Sequence, residues 1–203
     1  MAVNILVEGR TDEPVAKRLL EHVGLEVGTV YGRRGKAYLL EQLAKYNKAA
    51  RFSPWFVIVD LDKDTQCASQ ALKQWLPTSE RGMCLRIAVR AIESWLMADK
   101  EHLAEFLGVS ISKIPHDTDM VLTPKETLIN IARTSRNKGI REDIVPRQGS
   151  GASIGRLYVA RLNEFTENHW RPDVAKEYSQ SLRRCIQALA MLTSWDTEAT
   201  SDS

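Results

Sequence analysis

The sequence contains no CxxC pair. Its three cysteines, Cys67, Cys84 and Cys185, are far apart and odd in number. That argues against a disulfide framework and a zinc ribbon, and fits a reducing cytoplasm. The four histidines show no HExxH or paired spacing, so a zinc site has no support. No G-x-S-x-G occurs, which removes the serine-hydrolase signature. No apolar run approaches the roughly 18 residues a membrane span needs, so no membrane partner is expected. The opening MAVNILVEGRTDE has no basic lead-in and turns acidic at Glu8, unlike a secretory leader, and the expected localisation is cytoplasmic. No internal repeat or low-complexity tract is visible. A formal net charge of +2 is too small to argue for nucleic acid by itself.

What is present alternates. Short apolar runs over 4–7, 25–31, 55–60 and 83–89 read as strands. Between them, 12–23, the basic stretch opening at GRRGKAYLL and 65–76 have helical spacing, with Asp12 a plausible N-cap of the first. The alternation predicts an α/β fold: a parallel sheet of about four strands flanked by helices, with right-handed crossovers. From about residue 91 the strand signal disappears. AIESWLMADKEHLAEFLGV, TPKETLINIARTS, IGRLYVARLNEFTENHW and EYSQSLRRCIQALAMLTSW are predicted helices, with a capping-box look at Thr123 and Glu126. Residues 137–153 (NKGIREDIVPRQGSGAS) are expected as a loop. The expected division is an α/β core over 1–100, a helical extension over 101–195 packed on it, and a flexible tail over 196–203. Trp75, Trp95, Trp170 and Trp195 are expected in the core.

The chemistry concentrates where PWFVIVDLDKD ends its apolar run in Asp60, Asp62 and Asp64. A strand-ending Asp can be just the N-cap of the next helix, and Asp64 fits that role. In a sheet of order 2-1-3-4, however, the first and third strands are neighbours and a crevice opens at their carboxyl ends. Glu8, following the first strand, would meet Asp60 and Asp62 there. Three carboxylates are hard oxygen ligands of the kind Mg²⁺ or Mn²⁺ prefers, and a divalent ion would relieve their repulsion.

ILVEGRTDE followed by VIVDLDKD resembles a toprim domain, the catalytic fold shared by topoisomerases, primases and overcoming-lysogenization-defect nucleases. The resemblance covers about residues 1–100. It implies that Glu8 and the Asp60–Asp62 pair bind Mg²⁺ and act on phosphodiester bonds. GRRGKAYLL, AIESWLMAD, PKETL and the W-x-P-D-x-A…SLRRC ending are similar to a small toprim-like group often associated with ATPases in bacterial antiphage defence. The strand-passage and primase modules of the larger relatives are lacking, so the resemblance implies a nuclease rather than a topoisomerase or primase.

Other residues could join this site. Glu93 could supply a further catalytic oxygen, or be a helix-starting acid favoured by the macrodipole. Asp12 divides between cap and support of the site, and Asp99 is expected to cap the following helix. Lys36, Arg34 and Lys63 are candidates for the substrate phosphate. Lys36 also fits a solvated helix start, and Lys63 could merely neutralise the acids. Basic residues cluster over 33–51 and 133–161, the footprint expected for a nucleic-acid partner. An ATPase partner and a homo-oligomer are both compatible with the chain. Two other readings stand beside the nuclease: a partner-dependent regulatory subunit with a silent site, and a haloacid-dehalogenase-like phosphatase built on DLDKDT. The phosphatase motif sits on the wrong strand and carries Asp64 where Thr or Val is required.

Overall fold

The computed structural model describes residues 1–62 and 67–193. Lys63, Asp64, Trp195 and the expected tail 196–203 lie outside the described residues.

Strands β1 (Ala2–Val7), β2 (Glu26–Gly32), β3 (Trp55–Asp60) and β4 (Met83–Ala88) form one all-parallel sheet in the order β2-β1-β3-β4. Helices α1 (Asp12–His22), α2 (Lys36–Ala49) and α3 (Ala68–Trp75) make the crossovers. The run WFVIV is apolar at every position because β3 is covered on both faces. Phe56 and Ile58 enter one core with Val15 and Leu19 of α1, while Val57 and Val59 pack with Leu39 and Leu43 of α2. The register Leu6↔Val57 and Val7↔Ile58 brings the carboxyl ends of β1 and β3 close together. Glu8 and Asp60 are therefore delivered to one edge of the sheet.

Gly32 makes this edge compact. Its φ is +94°, and a Cβ there would lie 2.1 Å from the Val7 carbonyl oxygen. Only glycine allows β2 to approach β1 so closely. The GRRGK loop is then held by N–H bonds of 2.9 Å from Arg33 to the Val7 carbonyl and from Gly35 to the Glu8 carbonyl.

Beyond β4 the chain is helical: α4 (Ile92–Ala98), α5 (Lys100–Leu107), a 3-10 turn at Ile111–Lys113, α6 (Pro124–Arg133), α7 (Lys138–Ile144), α8 (Tyr158–Asn168), α9 (Pro172–Ala175) and α10 (Gln180–Leu192). Trp95, Trp170, Phe165 and Leu189 from these helices share one apolar core with Val3, Ile5 and Phe56 of the sheet. No helix among the described residues is long and apolar enough to cross a membrane.

Several expectations need correction. The stretch 137–153 opens with α7, because the Asn137 side chain caps the Gly139 N–H at 2.9 Å and Ile140 and Ile144, four apart, are buried. AIESWLMADKEHLAEFLGV forms two helices that part at Asp99, whose backbone leaves the helical region (φ −84°, ψ 72°), but the residue does not cap the second one as expected. Its buried carboxylate caps nothing. It accepts from Arg171 instead: the backbone N–H at 2.9 Å, Nε at 3.1 Å and Nη2 at 2.7 Å. Thr123 makes no side-chain cap, and α6 opens instead on Pro124, whose fixed φ suits the first helical position. Asp12 does not cap α1; its Oδ2 turns back to the Gly9 N–H at 2.7 Å. Trp95 and Trp170 are fully buried, but Trp75 is only partly so.

Candidate metal centre

Glu8 leaves the end of β1 and points across to β3. Its Oε1 accepts the backbone N–H of Asp60 at 2.8 Å. Asp60 in turn uses Oδ1 to accept the N–H of Ile92, the first residue of α4, at 3.0 Å. Asp60 is thus tied through its backbone N–H to the end of β1 and through its carboxyl to the start of α4. Glu93, the next residue of α4, and Asp12 of α1 are both buried beside it. Burial comes first in holding the Asp60 carboxyl well above the usual carboxylate range, followed by repulsion from Asp12, Glu93, Glu8 and Asp62.

The same pressure reaches its neighbours. Glu8 is pushed up to about 7, chiefly by burial, although the Asp60 N–H and Lys36 oppose the rise. Asp12 is raised by burial and by Glu93, against the Gly9 N–H. Carboxylates crowded in this way favour protons, or a cation that replaces them.

Asp62 stands apart from this buried group. It is exposed, lies in the left-handed region at φ +52°, and meets Lys36 Nζ at 3.1 Å. Lys36 also donates to the Asp60 carbonyl and, at 3.4 Å, to the Leu61 carbonyl. Its ammonium sits 5.1 Å from the centre of the Trp75 ring. Lys36 therefore clamps the acidic turn, where the sequence suggested a phosphate ligand or a solvated helix start. Arg34 is exposed, with its guanidinium 4.3 Å from the Tyr38 ring centre. Lys63 lies outside the described residues.

Among the described residues, no three His, Cys, Asp or Glu side chains are spaced as a finished metal centre. Glu8, Asp60 and Asp62 converge on one edge without forming the ligand triad that the motif spacing suggests. The physical reason is visible in their bonds: Asp62 is drawn to Lys36, and Glu8 and Asp60 each commit one oxygen to a backbone N–H. The donor set nevertheless suits a hard divalent cation, being oxygen throughout. Glu93 Oε2 is buried and accepts no hydrogen bond from the described residues.

Of these acids, Asp60 and Asp62 line a crevice of about 410 Å³. Asp60, Asp62, Arg90 and Ala91 form one wall; Thr123, Pro124, Lys125 and Ile129 of the α6 region form the other. Arg90 Nη1 donates to the Asp62 carbonyl at 3.0 Å. Lys125 Nζ lies 3.8 Å from Glu93 Oε1. Much of the expected basic footprint is paired locally: Arg33 with Glu13, Arg51 with Glu80, and Arg161 with Asp143 and Glu164.

Sequence reasoning missed Tyr158 and Lys125. Lys125 lay within the PKETL stretch, and a cation just after an N-terminal proline was a usable signal. Tyr158 gave none, since it reads as one more apolar-face residue of an amphipathic helix. No family model matches this chain, and neither does any curated protein or solved structure.

Proposed function

We propose that this chain is a metal-dependent nuclease that hydrolyses phosphodiester bonds in DNA or RNA, and that Mg²⁺ or Mn²⁺ is its cofactor. The observation that carries the reading is the crowding of Asp60 by four other carboxylates at the edge of an open crevice. Three buried acids, Glu8, Asp12 and Asp60, whose proton affinity is raised together are a costly arrangement for a merely structural turn. The toprim resemblance supports the same reading, and it alone suggests an antiphage setting.

Glu8, Asp60 and Asp62 would hold the cation, with Glu93 and Asp12 as the nearest further oxygens. A bound divalent cation supplies Lewis acidity and lowers the pKa of its water at neutral pH. Lys36 keeps the Asp60–Asp62 turn in place through the backbone carbonyls it binds. Lys125 and Arg90 both line the crevice, and they would bind phosphate oxygens. Ala91, Pro124 and Ile129 give the crevice an apolar lining suited to sugar and base.

One observation favours a second reading. Among the described residues no three His, Cys, Asp or Glu side chains form a finished metal centre, which would fit a site that stays silent until a partner such as an ATPase completes it. A single experiment separates the two. Purified chain is incubated with plasmid, single-stranded DNA and tRNA, each with Mg²⁺, Mn²⁺ or EDTA. Cleavage that stops with EDTA and in Glu8→Gln supports the nuclease. No cleavage of any substrate by the isolated chain, with cleavage restored by a co-purifying ATPase, supports the second reading.

A further inference from the structure

Resting on the divalent-cation reading above, we propose that Tyr158 is a positioning residue of the site. From the helical half of the chain, it fixes the Glu93 carboxylate so that one oxygen remains directed to the cation.

Tyr158 opens α8 and is 1% exposed, so it does not itself touch substrate. Its ring is packed in the core shared by the sheet and the later helices. Its hydroxyl donates to Glu93 Oε1 at 2.9 Å. A phenol has one proton to give, and here it is committed to one of the two carboxylate oxygens. The other, Oε2, is buried and accepts nothing from the described residues. Leaving such an oxygen unmatched costs roughly 1–3 kcal/mol or more, and native proteins keep such cases few.

The surroundings say what kind of group would match Oε2. Asp12 and Asp60 both feel Glu93 as a repelling neighbour. Lys125 is measured against Oε1, not Oε2. A positively charged group that binds several oxygens fits among these acids; another hydrogen-bond acceptor does not. Tyr158 therefore acts as the orienting partner behind a ligand. By holding Oε1 it sets the plane of the carboxylate and so the direction of Oε2. This also explains why the helical half matters to a site otherwise built from strand ends.

The test is a double-mutant cycle read by Mn²⁺ titration calorimetry on wild type, Y158F, E93Q and the double variant, with unfolding midpoints measured in parallel. Y158F keeps the ring and removes only the donor. Loss of an orienting partner behind a metal ligand typically weakens affinity about 10- to 100-fold, and that is the change expected. The double variant should bind no more weakly than E93Q, because the hydroxyl acts only through Glu93. Thr166→Val serves as the control: it removes another buried hydroxyl of α8, bonded to the Leu162 carbonyl at 2.8 Å, and should lower the midpoint without changing Mn²⁺ affinity. The proposal is overturned if Y158F binds Mn²⁺ like wild type, if its loss adds in full to that of E93Q, or if Thr166→Val weakens binding as much. A wild-type chain that gives no Mn²⁺ heat overturns the cation reading itself, a result distinct from binding that ignores Y158F.

Discussion

Glu8 Oε1 accepts the backbone N–H of Asp60 at 2.8 Å, joining the segment after β1 to the last residue of β3. Residues 52 apart in sequence thereby share one hydrogen-bonded edge, side chain to backbone. The parallel pairing of the two strands makes this contact, and the crowding of acids follows from it.

The first prediction concerns pH. The Glu8 carboxyl is raised from 4.5 to about 7, mainly by burial. Between these values the folded chain binds more protons than the unfolded one, so cation-free stability falls as pH rises through the window and levels off above it. Glu8→Gln removes this contribution. In EDTA it should be less sensitive to pH, gaining on wild type by up to ~3 kcal/mol between about pH 5 and about pH 8. Urea unfolding at both pH values measures the difference. A gap that does not change with pH contradicts the assigned burial.

A second prediction tests the close approach of β2 to β1. In Gly32→Ala the new Cβ meets the Val7 carbonyl, at a φ that L residues rarely adopt. The expected loss is more than about 2 kcal/mol. Gly149→Ala, also at positive φ but with nothing within 4 Å, should cost less. Equal losses would show that backbone conformation alone, and not the contact with β1, sets the effect.

The third concerns the bond between Asp99, at the junction of α4 and α5, and Arg171, just before α9. Asp99 is fully buried, and its charge is matched by Arg171. Arg171→Ala removes the guanidinium and leaves that carboxylate the backbone N–H of residue 171, so the cost should fall at the low end of that for a broken buried pair, about 3 kcal/mol. The expected thermal unfolding curve shifts down while Mn²⁺ affinity of the folded protein stays unchanged. Loss of Mn²⁺ binding under folding conditions would place Asp99 in the site.

The fourth separates Arg34 from Lys36. Arg34 is exposed and stacks on Tyr38, whereas Lys36 is engaged with the Asp60–Asp62 turn. Arg34→Ala should leave stability unchanged and reduce the salt dependence of DNA binding by about 0.9 in log–log slope, the loss of one phosphate contact. Lys36→Ala should lower stability. Fluorescence anisotropy across a salt series gives the slopes, and an unchanged slope for Arg34→Ala removes that residue from the interface.

The sheet was readable because each strand is a short apolar run closed by a turn signal, and β3, covered on both faces, gave the clearest run. The acids at the ends of β1 and β3 were readable because strand order alone makes those ends neighbours. Their detailed geometry was not. The left-handed turn at Asp62 and the hold of Lys36 on it depend on how α2 meets the sheet. Tyr158 reaches Glu93 only because α8 packs on the α1 face, and local spacing carries no trace of that. The helix α7 was missed for a different reason: glycine and arginine suggested a loop, while Asn137 and the Ile140–Ile144 pair already carried a helical signal.

The most direct measurement is anomalous diffraction from crystals grown with Mn²⁺ at neutral pH. The expected result is a manganese peak at about 2.0–2.4 Å from carboxylate oxygens of Glu8 and Asp60. A map with no manganese at this edge of the sheet, in crystals whose acids are free of lattice contacts, would contradict the divalent-cation site.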